Sequence, residues 1–167
     1  DAVAVREERA PDGTLMLIHE AVVPAPPEAV WQAIATAEGW RTWAVPLAWS
    51  PEPDIIETSY SPGTEPGDPS TIRQRILAAV PGRTIAFRTV KAPEGFPDFD
   101  IVGRTTGLFE LEPAGEGRTR VRVIGAGYPD SEAGRRLIGF FREGNRISLE
   151  RLRQRFVEGP RDWNRAD

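Results

Sequence analysis

The stretch Ser131–Val157, SEAGRRLIGFFREGNRISLERLRQRFV, decides how the rest of the chain is read. Set out at about 100° per residue, Leu137, Ile138, Phe141, Leu149, Leu152 and Phe156 fall on one side, while Arg135, Arg142, Arg146, Glu150 and Arg153 fall away from it. The pattern predicts a long amphipathic helix whose apolar stripe faces a core. Ser131, after Pro129-Asp130, suits its N-cap, and Gly159-Pro160 ends it. Asn145 and Ser148 interrupt the apolar side, and a polar group there needs a partner. For Asn145 that partner is a ligand or a neighbouring backbone group. Ser148 has the further choice of bonding its own preceding turn.

Moving outward from that helix, Arg118–Gly127 and Asp100–Glu112 read as strands paired across residues 113–117. Thr71–Val80 and Arg83–Val90 flank the hairpin signal Pro81-Gly82, and Asp54–Tyr60 is a further strand. The Pro/Gly-rich segment 61–69 and residues 92–99, which carry Phe96 and Phe99, read as loops. Near the start, Thr14–Val23 is a strand, stopped by Pro24, Pro26 and Pro27. Pro27 and Glu28 then open a short helix to about Ala37, with Val30, Ala33, Ile34 and Ala37 at helical spacing. A second helical turn carries Trp40 and Trp43. This order predicts an α+β fold of about six antiparallel strands, two short helices and the long C-terminal helix. Residues 1–13 read as a flexible lead-in, 14–158 as one domain and 159–167 as a tail.

Composition narrows the function. At 167 residues, 40% hydrophobic and 28% charged, the chain can build one core without staples. A net charge of -4 argues against nucleic-acid binding, which needs a broad basic footprint. Without cysteine, and with His19 as the sole histidine, disulfides, thiol nucleophiles and multi-histidine metal sites are excluded, and no cofactor is predicted. No apolar run reaches the roughly 20 residues of a membrane span. The polar start at Asp1, without methionine, suits a mature exported protein and leans the expectation to a bacterial periplasmic or secreted location over the cytoplasm.

Three segments carry a family resemblance. Ala25-Pro-Pro-Glu-Ala-Val-Trp-Gln-Ala-Ile34, directly after a strand, resembles the opening of START-like (SRPBCC) proteins. Pro81-Gly-Arg-Thr-Ile-Ala-Phe87 and Gly117-Arg-Thr-Arg-Val-Arg-Val123 resemble the hairpin and later strand of the Hsp90 ATPase activator-like branch. The likeness runs from about Thr14 to Phe156. It implies a helix-grip fold, a curved sheet with the long helix packed across it and a cavity between. Members of such families bind lipids, hormones or polyketides, and some catalyse cyclisation or dehydration. The long Pro/Gly loops depart from the chaperone-activator pattern.

Strand alternation supports a cavity independently. Gly103, Thr105, Gly107, Phe109 and Leu111 share one face, as do Thr119, Val121, Val123, Gly125 and Gly127. Turned to the long helix, four glycines leave room for a ligand; the other reading is that they let the sheet bend or bulge. The candidate ligand contacts are Asn145, Phe141, Ser148, Tyr60, Phe87, Phe96, Phe109, Tyr128 and Trp43. Phe96 and Phe99 are either an entrance gate or pins for their loop, and Trp40, Trp43 and Trp49 either a wall of the pocket or core. His19 reads as a structural or surface residue, and Arg73 and Arg75 as solvated. The leading function is binding of a small apolar or amphipathic ligand: a lipid, an aromatic or a polyketide-like molecule. The alternatives are a polyketide cyclase/dehydratase-like enzyme using His19, Tyr60, Tyr128 or Asn145, and an interaction or co-chaperone module. In the last, Phe140 and Ile147 face a partner, such as a second copy in a homodimer. No Ser-His-Asp, metal or phosphate-loop motif supports another enzyme class, and no catalytic residue is assigned.

Overall fold

In the computed structural model, which describes residues 3–165, the elements run β1 (Ala4–Arg9), β2 (Leu15–Val23), α1 (Pro27–Ala35), α2 (Ala37–Trp40), β3 (Leu47–Trp49), β4 (Ile55–Ser59), β5 (Ile72–Val80), β6 (Thr84–Lys91), α3 (Phe99–Val102), β7 (Thr106–Pro113), β8 (Thr119–Tyr128) and α4 (Glu132–Glu158). All eight strands form one antiparallel sheet in the order β1-β2-β8-β7-β6-β5-β4-β3. Consecutive strands lie side by side except where α1 and α2 carry the chain from β2 across to the far edge.

The count of eight corrects the expected six, and both extra strands are edges. Ala4–Arg9, read as part of a flexible lead-in, is strand β1 and pairs with β2 from Ala4↔Glu20 to Arg9↔Leu15. Its sequence AVREER is too charged to announce a strand, yet charge is what keeps an exposed edge from pairing with other chains. Strand β3 is only three residues long, between two prolines. The start of the expected strand Asp100–Glu112 is also corrected. Residues Phe99–Val102 form the helical turn α3, entered through Asp98 at φ 46°, and β7 begins at Thr106.

Helix α1 starts with proline in its first turn, where the missing N–H would have no partner, and buries Val30, Ala33 and Ile34. Helix α4 is capped as its sequence indicates: the Ser131 hydroxyl accepts from the Gly134 amide at 3.1 Å, and Gly159 terminates it at φ 95°. Leu137, Ile138, Leu149 and Leu152 are its buried residues, and it lies against β2 and β8. The core has two parts. One joins Leu149 and Leu152 to α1 and the sheet centre; the other joins Leu137 and Ile138 to Leu15, Leu17, Ile101, Val102 and Tyr128. Between these two clusters the long helix and the sheet do not close completely.

Candidate ligand cavity

Paired residues of an antiparallel sheet point to the same side, so the register defines the surface facing α4. One row across it reads Leu17, Gly125, Gly107, Phe87, Ile76; the next reads His19, Val123, Phe109, Ile85. The first row holds two adjacent glycines, and they are not equivalent. A Cβ on Gly107 would meet nothing within 4 Å, whereas one on Gly125 would lie 2.9 Å from the Tyr128 ring and hydroxyl. Tyr128 therefore roofs Gly125, and Gly107 opens onto space. The other two glycines follow the bend reading. Gly103 ends α3, outside any strand. Gly127, at φ 92°, lies where the β2–β8 register slips between Leu15↔Tyr128 and Met16↔Ala126, a bulge whose backbone only glycine adopts readily.

The space above Gly107 is a cavity of about 280 Å³, near the lower end of the roughly 300–1,000 Å³ common for small-molecule sites. Trp40, Trp43, Phe87 and Phe109 form one continuous aromatic wall. Their ring centroids are 6.0 Å (Trp40–Trp43), 5.7 Å (Trp40–Phe87), 6.3 Å (Trp43–Phe109) and 6.4 Å (Phe87–Phe109) apart. The indoles are fixed from behind. Trp40 Nε1 donates to the Ile34 carbonyl and Trp43 Nε1 to the Ala33 carbonyl, each at 2.7 Å, so both N–H groups are satisfied by the end of α1. The tryptophans are thus wall and core at once. Across from them stand Tyr128 and Phe141, with centroids 6.3 Å apart, and Asn145, Ser148 and Leu149 of α4.

Among the sequence-predicted contacts, the cavity brings together Asn145, Phe141, Ser148, Tyr60, Phe87, Phe109, Tyr128 and Trp43. Tyr60 is exposed and belongs to the rim. Phe96 is the exception: it packs against the Leu15–Ile138 cluster and does not line the cavity. It pins the 92–99 loop, because an aromatic ring in a long loop gains more from joining a core than from guarding a solvent-filled gap. Gln74, Thr58 and Thr89 line the cavity unanticipated, as does Thr105, which alternation sets on the face of Gly107 but which is not among the expected contacts.

The polar groups divide sharply. The Thr105 hydroxyl donates to the Val102 carbonyl at 2.9 Å, and the Thr89 hydroxyl donates to Gln74 Oε1 at 3.0 Å. The side chains of Asn145, Ser148 and Tyr128 form no hydrogen bond with any described residue, so neither backbone alternative raised for the two helix residues is realised. Burial pushes the Tyr128 hydroxyl up to about 12, which keeps it protonated and able to donate.

His19 is inward-facing but serves the fold. It is fully buried, and its Nε2–H donates to the Arg142 carbonyl at 2.8 Å, tying β2 to α4. Arg73, read as solvated, is instead paired with a buried carboxylate. Glu57 accepts from Thr71 Oγ1 at 2.6 Å, the Gly67 amide at 2.7 Å and Arg73 at 3.2 Å. Lys91 donates to the Asp68 carbonyl at 2.6 Å and to the Thr71 hydroxyl. This cluster fastens the Pro/Gly-rich loop to the outer face of the sheet, a long-range arrangement with no sequence signature. Arg75, paired with Asp54 at 2.5 Å, stays partly exposed. Among the described residues no group of His, Cys, Asp or Glu side chains could hold a metal ion, and no helix is long and apolar enough to cross a membrane.

A long C-terminal helix packed across an open eight-stranded antiparallel sheet, with a cavity between, defines a START-like (SRPBCC) helix-grip protein. Within that class, residues 17–157 match the polyketide cyclase / dehydrase and lipid transport family, and the chain belongs to it. Solved structures repeat the fold at low identity. The solution structure of the Aha1 dimer from Colwellia psychrerythraea is 17% identical, with 86% of this chain and 97% of that chain covered and a TM-score of 0.65. CalU16 from Micromonospora echinospora is 18% identical over 97% of this chain and 88% of that one, with a TM-score of 0.65. XoxI from Bacillus cereus is 18% identical over 86% and 96%, with a TM-score of 0.67. No curated protein matches the sequence.

Proposed function

We propose that this protein binds a small apolar or amphipathic molecule, a lipid, an aromatic or a polyketide-like compound, between its sheet and α4. One observation carries the reading: the wall of aromatic rings faces three polar side chains, Tyr128, Asn145 and Ser148, that have no partner within the protein. Pockets for small organic ligands combine an apolar lining with a few such placed groups. None of the three is sealed from solvent, so each can exchange water for a ligand's polar group. Because Trp40 and Trp43 line the cavity, occupancy is read directly from tryptophan fluorescence. Titration with apolar aromatic probes should shift that emission saturably in the natural protein. Gly107→Phe, which places a ring where a Cβ meets nothing, should abolish the response while the protein stays folded. Equal binding by the filled variant would refute the location.

A second reading is a cyclase- or dehydratase-like enzyme, supported by the family's description and by the protonated Tyr128 hydroxyl, which could polarise a carbonyl. Of the other groups considered for it, His19 is committed to its bond with Arg142 and Tyr60 stands on the rim. The interaction reading is supported by Phe140 and Ile147, both exposed on the outer face of α4. A sedimentation series that finds only monomer at every concentration would remove the homodimer form of it.

A further inference from the structure

The lining of the cavity is without charge. None of the described residues around it is Asp, Glu, Lys, Arg or His, although 28% of the chain is charged. The neighbouring ions are turned elsewhere, and all of those named here but Arg88 are paired with a carboxylate. By alternation Arg73, Arg75 and Arg88 leave β5 and β6 on the opposite face, where Arg73 meets Glu57, Arg75 meets Asp54, and Arg88 donates to the Thr106 hydroxyl at 3.0 Å. On α4, Arg142 pairs with Glu7, Arg146 with Glu143 and Arg153 with Glu150. An ionised group carried inside would lose its hydration and find no countercharge, whereas a neutral carbonyl, amide or hydroxyl would find hydrogen-bonding groups ready for it.

We infer that the cavity selects by charge: it takes an uncharged, ring-containing molecule whose carbonyl, amide or hydroxyl bonds Tyr128 and Asn145, and leaves carboxylates and ammonium groups outside. The inference rests on the binding function proposed above and narrows its ligand class. Three probes of one shape test it: 2-naphthamide, 2-naphthoate and 2-naphthylmethylamine, titrated at pH 7 by tryptophan fluorescence and calorimetry. The amide should bind, and both ions should bind at least about tenfold more weakly. Tyr128→Phe should weaken the amide about three- to tenfold, the loss of one hydrogen bond. Asn145→Lys, which sets a cation in the lining, should restore the naphthoate to within about threefold of the amide. An ion that binds the natural protein as tightly as the amide overturns the charge selection and leaves the receptor function standing. Failure of all three to bind counts against the receptor function itself, and the selection falls with it.

Discussion

His19 shows how a single buried ring couples stability to acidity. Its Nε2–H is bonded to the Arg142 carbonyl, and its Nδ1 is buried without a partner. Desolvation holds its pKa below the ordinary histidine value, and the charges of Arg142 and Arg146 add to this against the opposing pull of the Arg142 carbonyl. The folded state therefore holds the proton less well than the unfolded chain. The resulting stability is fully present above about pH 6.5 and is lost as the pH falls toward the folded pKa. As this is the only histidine, the melting temperature should drop between pH 7 and pH 5 and the slope there should flatten in His19→Gln; an unchanged slope would remove the residue from the explanation. Two hydroxyls make a second comparison. Thr119 Oγ1 donates to the Ala25 carbonyl at 2.7 Å and is fully buried, while Tyr128 has no partner. Thr119→Val should cost about 1–2 kcal/mol in urea unfolding, and Tyr128→Phe less than about 1 kcal/mol, so the tyrosine hydroxyl would be tied to ligand and not to folding.

At the scale of elements, the ends and fastenings matter more than the interiors. Helix α4 depends on the Ser131 hydroxyl to accept from the first-turn Gly134 amide, and Ser131→Ala should cost about 1 kcal/mol, read as a lowered melting temperature with unchanged helical circular dichroism. The 61–70 loop owes its place to Glu57 on β4, whose carboxylate is held below the usual range. Desolvation acts against this but is outweighed by the bonds from Thr71, Gly67 and Arg73. Its contribution is present above about pH 4.5 and is lost as the pH falls through the folded pKa. Glu57→Ala should destabilise the protein by about 2–4 kcal/mol at pH 7 by taking the partner from Arg73, the Thr71 hydroxyl and the Gly67 amide, and should expose the loop to protease before the sheet unfolds. If the loop stays resistant, the carboxylate is not its anchor.

For the whole molecule, the decisive relation is between the two glycines at the sheet centre. Gly107→Leu should change stability by less than about 1 kcal/mol, since its side chain enters vacant space, while blocking ligand entry. Gly125→Ala should cost about 1–2 kcal/mol, because the new methyl meets the Tyr128 ring, and should disturb binding by moving that ring. Calorimetric melting of the two variants, with probe binding measured alongside, distinguishes an open site from a filled one. If both behave alike, the space above Gly107 is not the ligand's.

Much of this was legible in the chain itself. The periodicity of 131–157, the cap at Ser131, the Pro81-Gly82 hairpin and the proline that opens α1 determine the long helix and most strands, because each depends on neighbours close in sequence. Strand alternation even set Gly107 with Phe109, and Val123 with Gly125, each pair on one face of its own strand; the register then turned both faces to the same side. What only the tertiary structure decided are the meetings between distant residues: β1 joining an edge that its charged sequence did not advertise, Glu57 finding Thr71 and Arg73, Phe96 turning into a core, and Tyr128 covering Gly125 but not Gly107. A bulge at Gly127 and a register slip settle which side chain fills which gap, and such choices are made by packing across the sheet, where residues a hundred positions apart compete for the same volume.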